Sequence, residues 1–231
     1  MKTNLFKSGL LLFCILLSAC KMPNHSETTK PSKTIPYEIL VFHPSISTAE
    51  SAEQTIFQSL EKSGYIIEYY LDIPSVICGG DLCEIITVRL FWNTLGHFQR
   101  YEFPTGGNLT KIGHKTFTKA DHEKLQSILC DADSGLKQIN PNHVVAPGKP
   151  PAEEIDCTSG ATILSEETEI VSGAADTCYT LWHWVHSDIP NECRKISADT
   201  MSEEQLTLYL KNGTPAQKSF AKDVLKDHQR E

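Results

Sequence analysis

Four groups of residues could do chemistry in this chain. Cys20 closes a short apolar run behind Leu17, Ser18 and Ala19 and offers a thiol, the most nucleophilic of the common side-chain groups once ionised. Asp156-Cys157-Thr158-Ser159-Gly160-Ala161-Thr162 sets hydroxyls beside two small residues. By residue type this is either a turn entering a helix, with Thr158 or Ser159 as cap, or a hydroxyl placed for modification. Cys78 and Cys83 flank Gly79-Gly80-Asp81-Leu82, a loop short enough to bring two sulfurs together. Trp182-His183-Trp184-Val185-His186 places two imidazoles three residues apart, so both can face one side of a helix. No third histidine or carboxylate follows at helical spacing, so no metal is assigned there. The plain alternative is aromatic packing at a helix end, with His186 beside the last carbonyls, where a cation is favoured.

The first 19 residues read as a signal peptide. Lys2 and Lys7 form a basic start, and Leu10 to Leu17 an apolar run. That run is too short for a membrane-crossing helix, which needs about 20 apolar residues. Leu17-Ser18-Ala19-Cys20 resembles the lipobox of bacterial lipoproteins. The resemblance implies that Cys20 receives a diacylglycerol and becomes the first residue after cleavage. Several acyl chains anchor firmly where one would not. By the same resemblance, Lys21 in place of Asp implies sorting to the outer membrane, facing the periplasm, if the organism has two membranes.

The heptapeptide resembles the flavinylation motif of the FMN-binding domain family, Asp-x-x-Ser/Thr-Gly-Ala-Thr. Members include flavin-carrying subunits of ion-translocating NADH:quinone oxidoreductases and other extracytoplasmic electron carriers. The resemblance implies that a flavin transferase joins FMN through its phosphate to Thr162, with Asp156, Ser159, Gly160 and Ala161 as the recognition sequence. Gly and Ala leave room for the phosphate and let backbone N–H groups approach it. The isoalloxazine ring would then exchange electrons with redox partners at the membrane face. Trp182 or Trp184 could stack on such a ring. The alternative is a binding or scaffold lipoprotein of the same fold without flavin.

The elements that must position these groups follow from periodicity. Residues 20–36 are polar, hold Pro23, Pro31 and Pro36, and read as a flexible tether. Tyr37 to Phe42 reads as a strand, and Ser47 to Lys62 as a helix with Ala52, Ile56, Phe57 and Leu60 on one side. Glu84 to Trp92 and His97 to Phe103 read as a hairpin turning at Asn93-Thr94-Leu95-Gly96. A helix opens at Thr118 and runs to about Cys130, with Asp121-His122-Glu123 on its solvated surface. Residues 140–155 form a proline-rich loop leading to the heptapeptide. Val171 to His186 repeats apolar residues at spacings of three and four, as a helix does. Ser202 and Thr214 each cap a further helix. The expected fold is α+β: an antiparallel sheet packed by helices over 37–187, with a small C-terminal helical appendage over 188–231.

Composition limits the partners. The net charge is −8, and no basic cluster lies beyond the signal segment, which argues against nucleic acid. Of eight cysteines, Cys14 leaves with the signal and Cys20 takes lipid, so six remain. An even number in an exported chain favours disulfides. Cys78–Cys83 is the expected pair, with a zinc knuckle as the minor alternative. Neither Gly-x-Ser-x-Gly nor His-Glu-x-x-His occurs, so neither common hydrolase signature is present.

Overall fold

The computed structural model describes residues 30–43, 51–79, 82–139 and 170–230; the side chains of 76–84 are outside that description. Five strands form one antiparallel sheet in chain order: β1 (Lys33–Val41), β2 (Ala52–Leu60), β3 (Ile66–Gly79), β4 (Leu82–Trp92) and β5 (Phe98–Glu102). A two-stranded ribbon, β6 (Thr110–Lys111) and β7 (Lys115–Thr116), follows. The helices are α1 (Lys119–Cys130), α2 (Ala175–Val185), α3 (Ile189–Thr200), α4 (Glu203–Asn212) and α5 (Pro215–His228). The α+β expectation therefore holds.

Alternation decides which face of the sheet meets the helices. Tyr69, Leu71 and Ile73 of β3 stand opposite Trp92, Leu90 and Val88 of β4, and all six are buried. Side chains two apart share a face, so these residues line the inner side, with Tyr101 of β5 opposite Leu90. The helices close over it. Trp92 Nε1 donates to the Val185 carbonyl at the end of α2 (3.2 Å). Gln205 of α4 grips the main chain of Ile66 twice: its Oε1 accepts the Ile66 N–H and its Nε2 donates to the Ile66 carbonyl, both at 2.9 Å. The pairing of β2 and β3 shifts register at this point, so the side chain supplies bonds the ladder lacks.

The outer face is built differently. Phe57, Tyr70, Phe91 and Arg100 stand opposite one another across β2 to β5. The Arg100 guanidinium lies 3.7 Å from the Phe91 ring centroid and forks onto Glu68 (2.6 and 3.1 Å). Arg89 lies 4.0 Å over Tyr70 and forks onto Asp72 (2.6 and 2.7 Å). Planar guanidinium groups can stack on a ring and bind a carboxylate together. They roof the aromatic row, and Phe91 is only 5% exposed.

The expected helix over 47–62 is a strand where it is described, at β2. Ile56 and Gln58 point inward, while Phe57 points outward and stacks on Tyr70 (4.9 Å). A strand carrying an apolar group on one face and a polar group buried on the other loses its period-two signature. Gln58 is tolerated inside because its Nε2 donates to Tyr69 Oη (2.9 Å) and Thr200 Oγ1 (3.0 Å). Tyr69 Oη, 2.8 Å from Ser197 Oγ, continues the network into α3. The expected tether ran to residue 36, but β1 begins at Lys33 and includes Pro36. β1 is an edge strand, where a missing N–H costs least. The C-terminal helical part expected over 188–231 holds three helices, α3 preceding the two expected from the caps at Ser202 and Thr214. It is no loose attachment: Ile189, Ile196, Leu206, Phe220 and Val224 join the same core as the sheet.

Gly96 makes the β4–β5 turn at φ +79° beneath the start of α3. A Cβ there would lie 2.1 Å from the Pro190 carbonyl oxygen. Both the backbone angle and the contact forbid a side chain. Gly96→Ala should lower stability by about 2 kcal/mol or more, read as a loss of several degrees in the thermal midpoint.

Candidate functional site

The helix α2 organises the site. Gly173 turns the chain at φ +73° just before it. The Val171 N–H donates to Cys178 Sγ (3.3 Å), folding the entry back onto the helix. Val171 and Ala174 are buried but precede the helix, so the apolar period reads four residues too long at this end. The far end is fixed by rings. Trp182 Nε1 donates to the Asp131 carbonyl (2.8 Å), and His186 Nε2 to the Leu129 carbonyl (3.0 Å). The expected cation at His186 is not found: burial lowers its pKa, and its ring bonds α1 instead of the last turn of α2. Both indoles that could stack on a flavin ring, Trp182 and Trp184, are buried. Trp182 packs on His186 (4.6 Å), and Trp184 stacks on His43 (4.4 Å). His43, just beyond β1, reaches the Thr180 carbonyl with Nε2 (3.1 Å).

A cavity of about 440 Å³ opens beside this helix. Tyr179 and His183, one turn apart with rings 4.3 Å from each other, form its α2 wall. Phe42 and Ile139 add apolar surface, and Lys137, His186, Ser187 and Asp188 complete the lining. Three of the six polar side chains here are hydrogen-bonded, His186 among them. Asp188 Oδ2 accepts the Phe42 N–H (3.3 Å), and Ser187 Oγ donates to the Trp184 carbonyl (2.9 Å). The Tyr179 hydroxyl and His183 Nε2 are shielded from solvent and have no hydrogen-bond partner. Buried polar atoms are nearly always bonded, so two orphans on neighbouring residues beside a cavity are exceptional.

Burial, and then the neighbouring His43, push the His183 pKa down, which favours the neutral ring. Burial also pushes the Tyr179 pKa up, so its hydroxyl stays protonated.

The sequence-derived candidates fall out as follows. The signal peptide, Cys20 and the heptapeptide with Asp156, Ser159, Gly160, Ala161 and Thr162 lie outside the described residues. Cys78 and Cys83 are directly opposite in the β3–β4 register, but their side chains are also outside the description. Directly opposed strand residues stand about 4.5–5.5 Å apart at Cα, a span a disulfide bridges. Cys178 and Cys193, whose pairing the sequence left open, are free and buried. Burial raises the pKa of Cys178 to about 11 and that of Cys193 further, so both thiols stay protonated. Cys130 is disulfide-bonded. Among the described residues no three His, Cys, Asp or Glu side chains gather as a metal site.

A second polar cluster lies at the start of α1, where a solvated surface was expected. Asn108 Nδ2 donates to the Phe117 carbonyl (3.2 Å), which turns its Oδ1 towards His122 Nε2 (2.7 Å). Nε2 then donates, and Nδ1 accepts the Tyr101 hydroxyl (2.7 Å). Every polar atom of that chain is used, so it is a brace between loop and helix. The neighbouring Asp121 binds Lys111 (2.7 Å), which with the Thr118 cap holds its pKa at about 2.

Tyr179 and His183 were missed as a pair. The helical spacing of four was visible, but a tyrosine facing a cavity looks the same in sequence as one facing a core. The chain matches no family model, no curated protein and no solved structure.

An unpartnered buried hydroxyl costs stability that an apolar ring would not. Tyr179→Phe should raise the stability of the ligand-free protein by about 1 kcal/mol, seen as an upward shift of the melting midpoint. A lower midpoint would mean that the hydroxyl is bonded in solution.

Proposed function

We propose that this is a lipid-anchored protein of the bacterial envelope whose α+β domain binds a small ligand in the cavity beside α2. The paired orphans, Tyr179 Oη and His183 Nε2, carry the binding half of this reading. The Leu17–Cys20 tetrad behind a basic and apolar start supports the anchor. A disulfide at Cys130 fits an oxidising compartment outside the cytoplasm. Lys21 favours the outer membrane, facing the periplasm, where there are two membranes. The anchor is tested by expressing the full chain in a bacterium with lipoprotein maturation. The protein should partition into detergent with lipid on an N-terminal Cys20, and Cys20→Ser should remain in water. An unmodified, water-soluble wild-type chain would refute it.

A second reading, an electron-transfer flavoprotein, is favoured by the heptapeptide. Thr162 would carry FMN as a phosphoester, with Asp156, Ser159, Gly160 and Ala161 guiding the flavin transferase. Covalent attachment suits the compartment, because free FMN outside the cytoplasm would be lost. Co-expression with a flavin transferase should give a band that fluoresces after denaturation and a mass increase of one FMN, both abolished in Thr162→Ala. A dark band at unchanged mass would leave the binding protein without flavin.

A further inference from the structure

We infer that the outer face of α5 is a membrane-contact surface: Lys218, Lys222 and Lys226 lie against the anionic phospholipid headgroups of the membrane that holds Cys20. The inference rests on the lipid-anchor reading above and adds how the domain stands on that membrane.

The helix sets the stripe. Lys218, Lys222 and Lys226 recur every four residues, so they share an arc of about 80° and run along about 12 Å of α5. Phe220, Ala221 and Val224 occupy the other side of the helix and are buried. The cations therefore face away from the core. Other cations at the surface each have a carboxylate nearby: Lys119 has Glu123 (3.7 Å), Lys195 has Glu192 (3.7 Å) and Arg230 has Asp227 (3.5 Å). Among the described residues the three lysines of the stripe have no such ion pair. Asp223 and Asp227 lie to one side of the arc and do not interrupt it. Like charges four residues apart repel one another, and an anionic surface turns that cost into a gain. The net charge of −8 does not prevent this, because exposed charges more than about 10 Å away are screened.

The place where the tether joins the domain selects the membrane as the occupant. The Ser32 N–H donates to the Leu60 carbonyl (2.8 Å) just before β1. Leu60 pairs with Ile66, and Gln205 in the first turn of α4 holds Ile66 by two bonds. α5 packs on α4. The tether and the α4–α5 pair therefore share one end of the sheet. Cys20 precedes Lys30 by ten residues, a span of at most about 36 Å. Headgroups held within that reach act at a high effective concentration, so weak contacts suffice. One lysine near an anionic surface favours contact about fivefold, and three together about a hundredfold.

The test places the lipidated chain on vesicles of phosphatidylcholine, alone or with an equal part of phosphatidylglycerol, and reads the acetylation rate of each lysine by mass spectrometry. On the anionic vesicles Lys218, Lys222 and Lys226 should react about threefold or more slowly than on the neutral ones. Lys119 on α1, whose side chain is 91% exposed, should react equally on both. Salt at about 0.5 M should abolish the difference, because the Debye length then falls below about 5 Å. Lys222→Glu should return Lys218 and Lys226 to their rates on neutral vesicles. If the exported chain carries no lipid, the anchor reading fails by itself. A hexahistidine tag at residue 20, held by nickel-chelating lipid in both kinds of vesicle, then makes the same comparison. Equal rates on the two kinds of vesicle would overturn the contact surface and leave the anchor standing. Slow reaction of the stripe on neutral vesicles as well would also overturn it, since a second protein copy rather than lipid would then cover the lysines.

Discussion

The end of α2 is held by three hydrogen bonds, one from the sheet and two to α1, and the architecture around the site depends on that grip. Trp92 reaches it from the sheet, while Trp182 and His186 reach from it to the carbonyls at the end of α1. Each bond uses an N–H on a large ring, so each also brings apolar area into the core. A helix fixed this way cannot rotate to give Tyr179 and His183 better partners. The two orphan atoms are thus a consequence of constraint elsewhere: the ends are satisfied, and the middle faces a cavity.

The same logic recurs on the sheet. Buried polar groups appear where a helix must be registered against a strand. Gln58, Tyr69, Ser197 and Thr200 set α3, and Gln205 sets α4. Apolar contacts alone would let these helices slide, because burial is proportional to area and has no direction. A side-chain amide that bonds both backbone groups of Ile66 admits one position. The C-terminal helices, which the sequence presents as an addition, are what give the inner face its cover.

Local patterns were legible where one face of an element is apolar and the other polar. The β4–β5 hairpin, the capped start of α1 and the capped starts of α4 and α5 meet that condition. β2 does not, since Phe57 is roofed on the outer face while Gln58 is buried on the inner one. β3 was not assigned for a related reason: Tyr69 and Tyr70 lie on opposite faces, and both pack. Trp182 and His186 of α2 were visible as candidates, yet their roles were set by the Asp131 and Leu129 carbonyls, groups far away in sequence and unmarked in type. Long-range partners of this kind leave no local trace.

The β3–β4 hairpin has a further consequence. β2 pairs with β3 only as far as Tyr70, so the remainder of β3, with Pro74 on the side that lacks a neighbour, continues with β4 alone. Two strands without a third are marginal in water. The molecule therefore has two levels of cooperativity rather than one. The sheet, its helices and the cavity open together, and Leu71, Ile73, Ile86 and Val88 belong to that core, so only the end of the ribbon beyond Ser75 and Ile86 can fray and re-form on its own. Cys78 and Cys83 are opposite each other in the backbone register of that ribbon, where a covalent tie would hold its two strands together through such fraying.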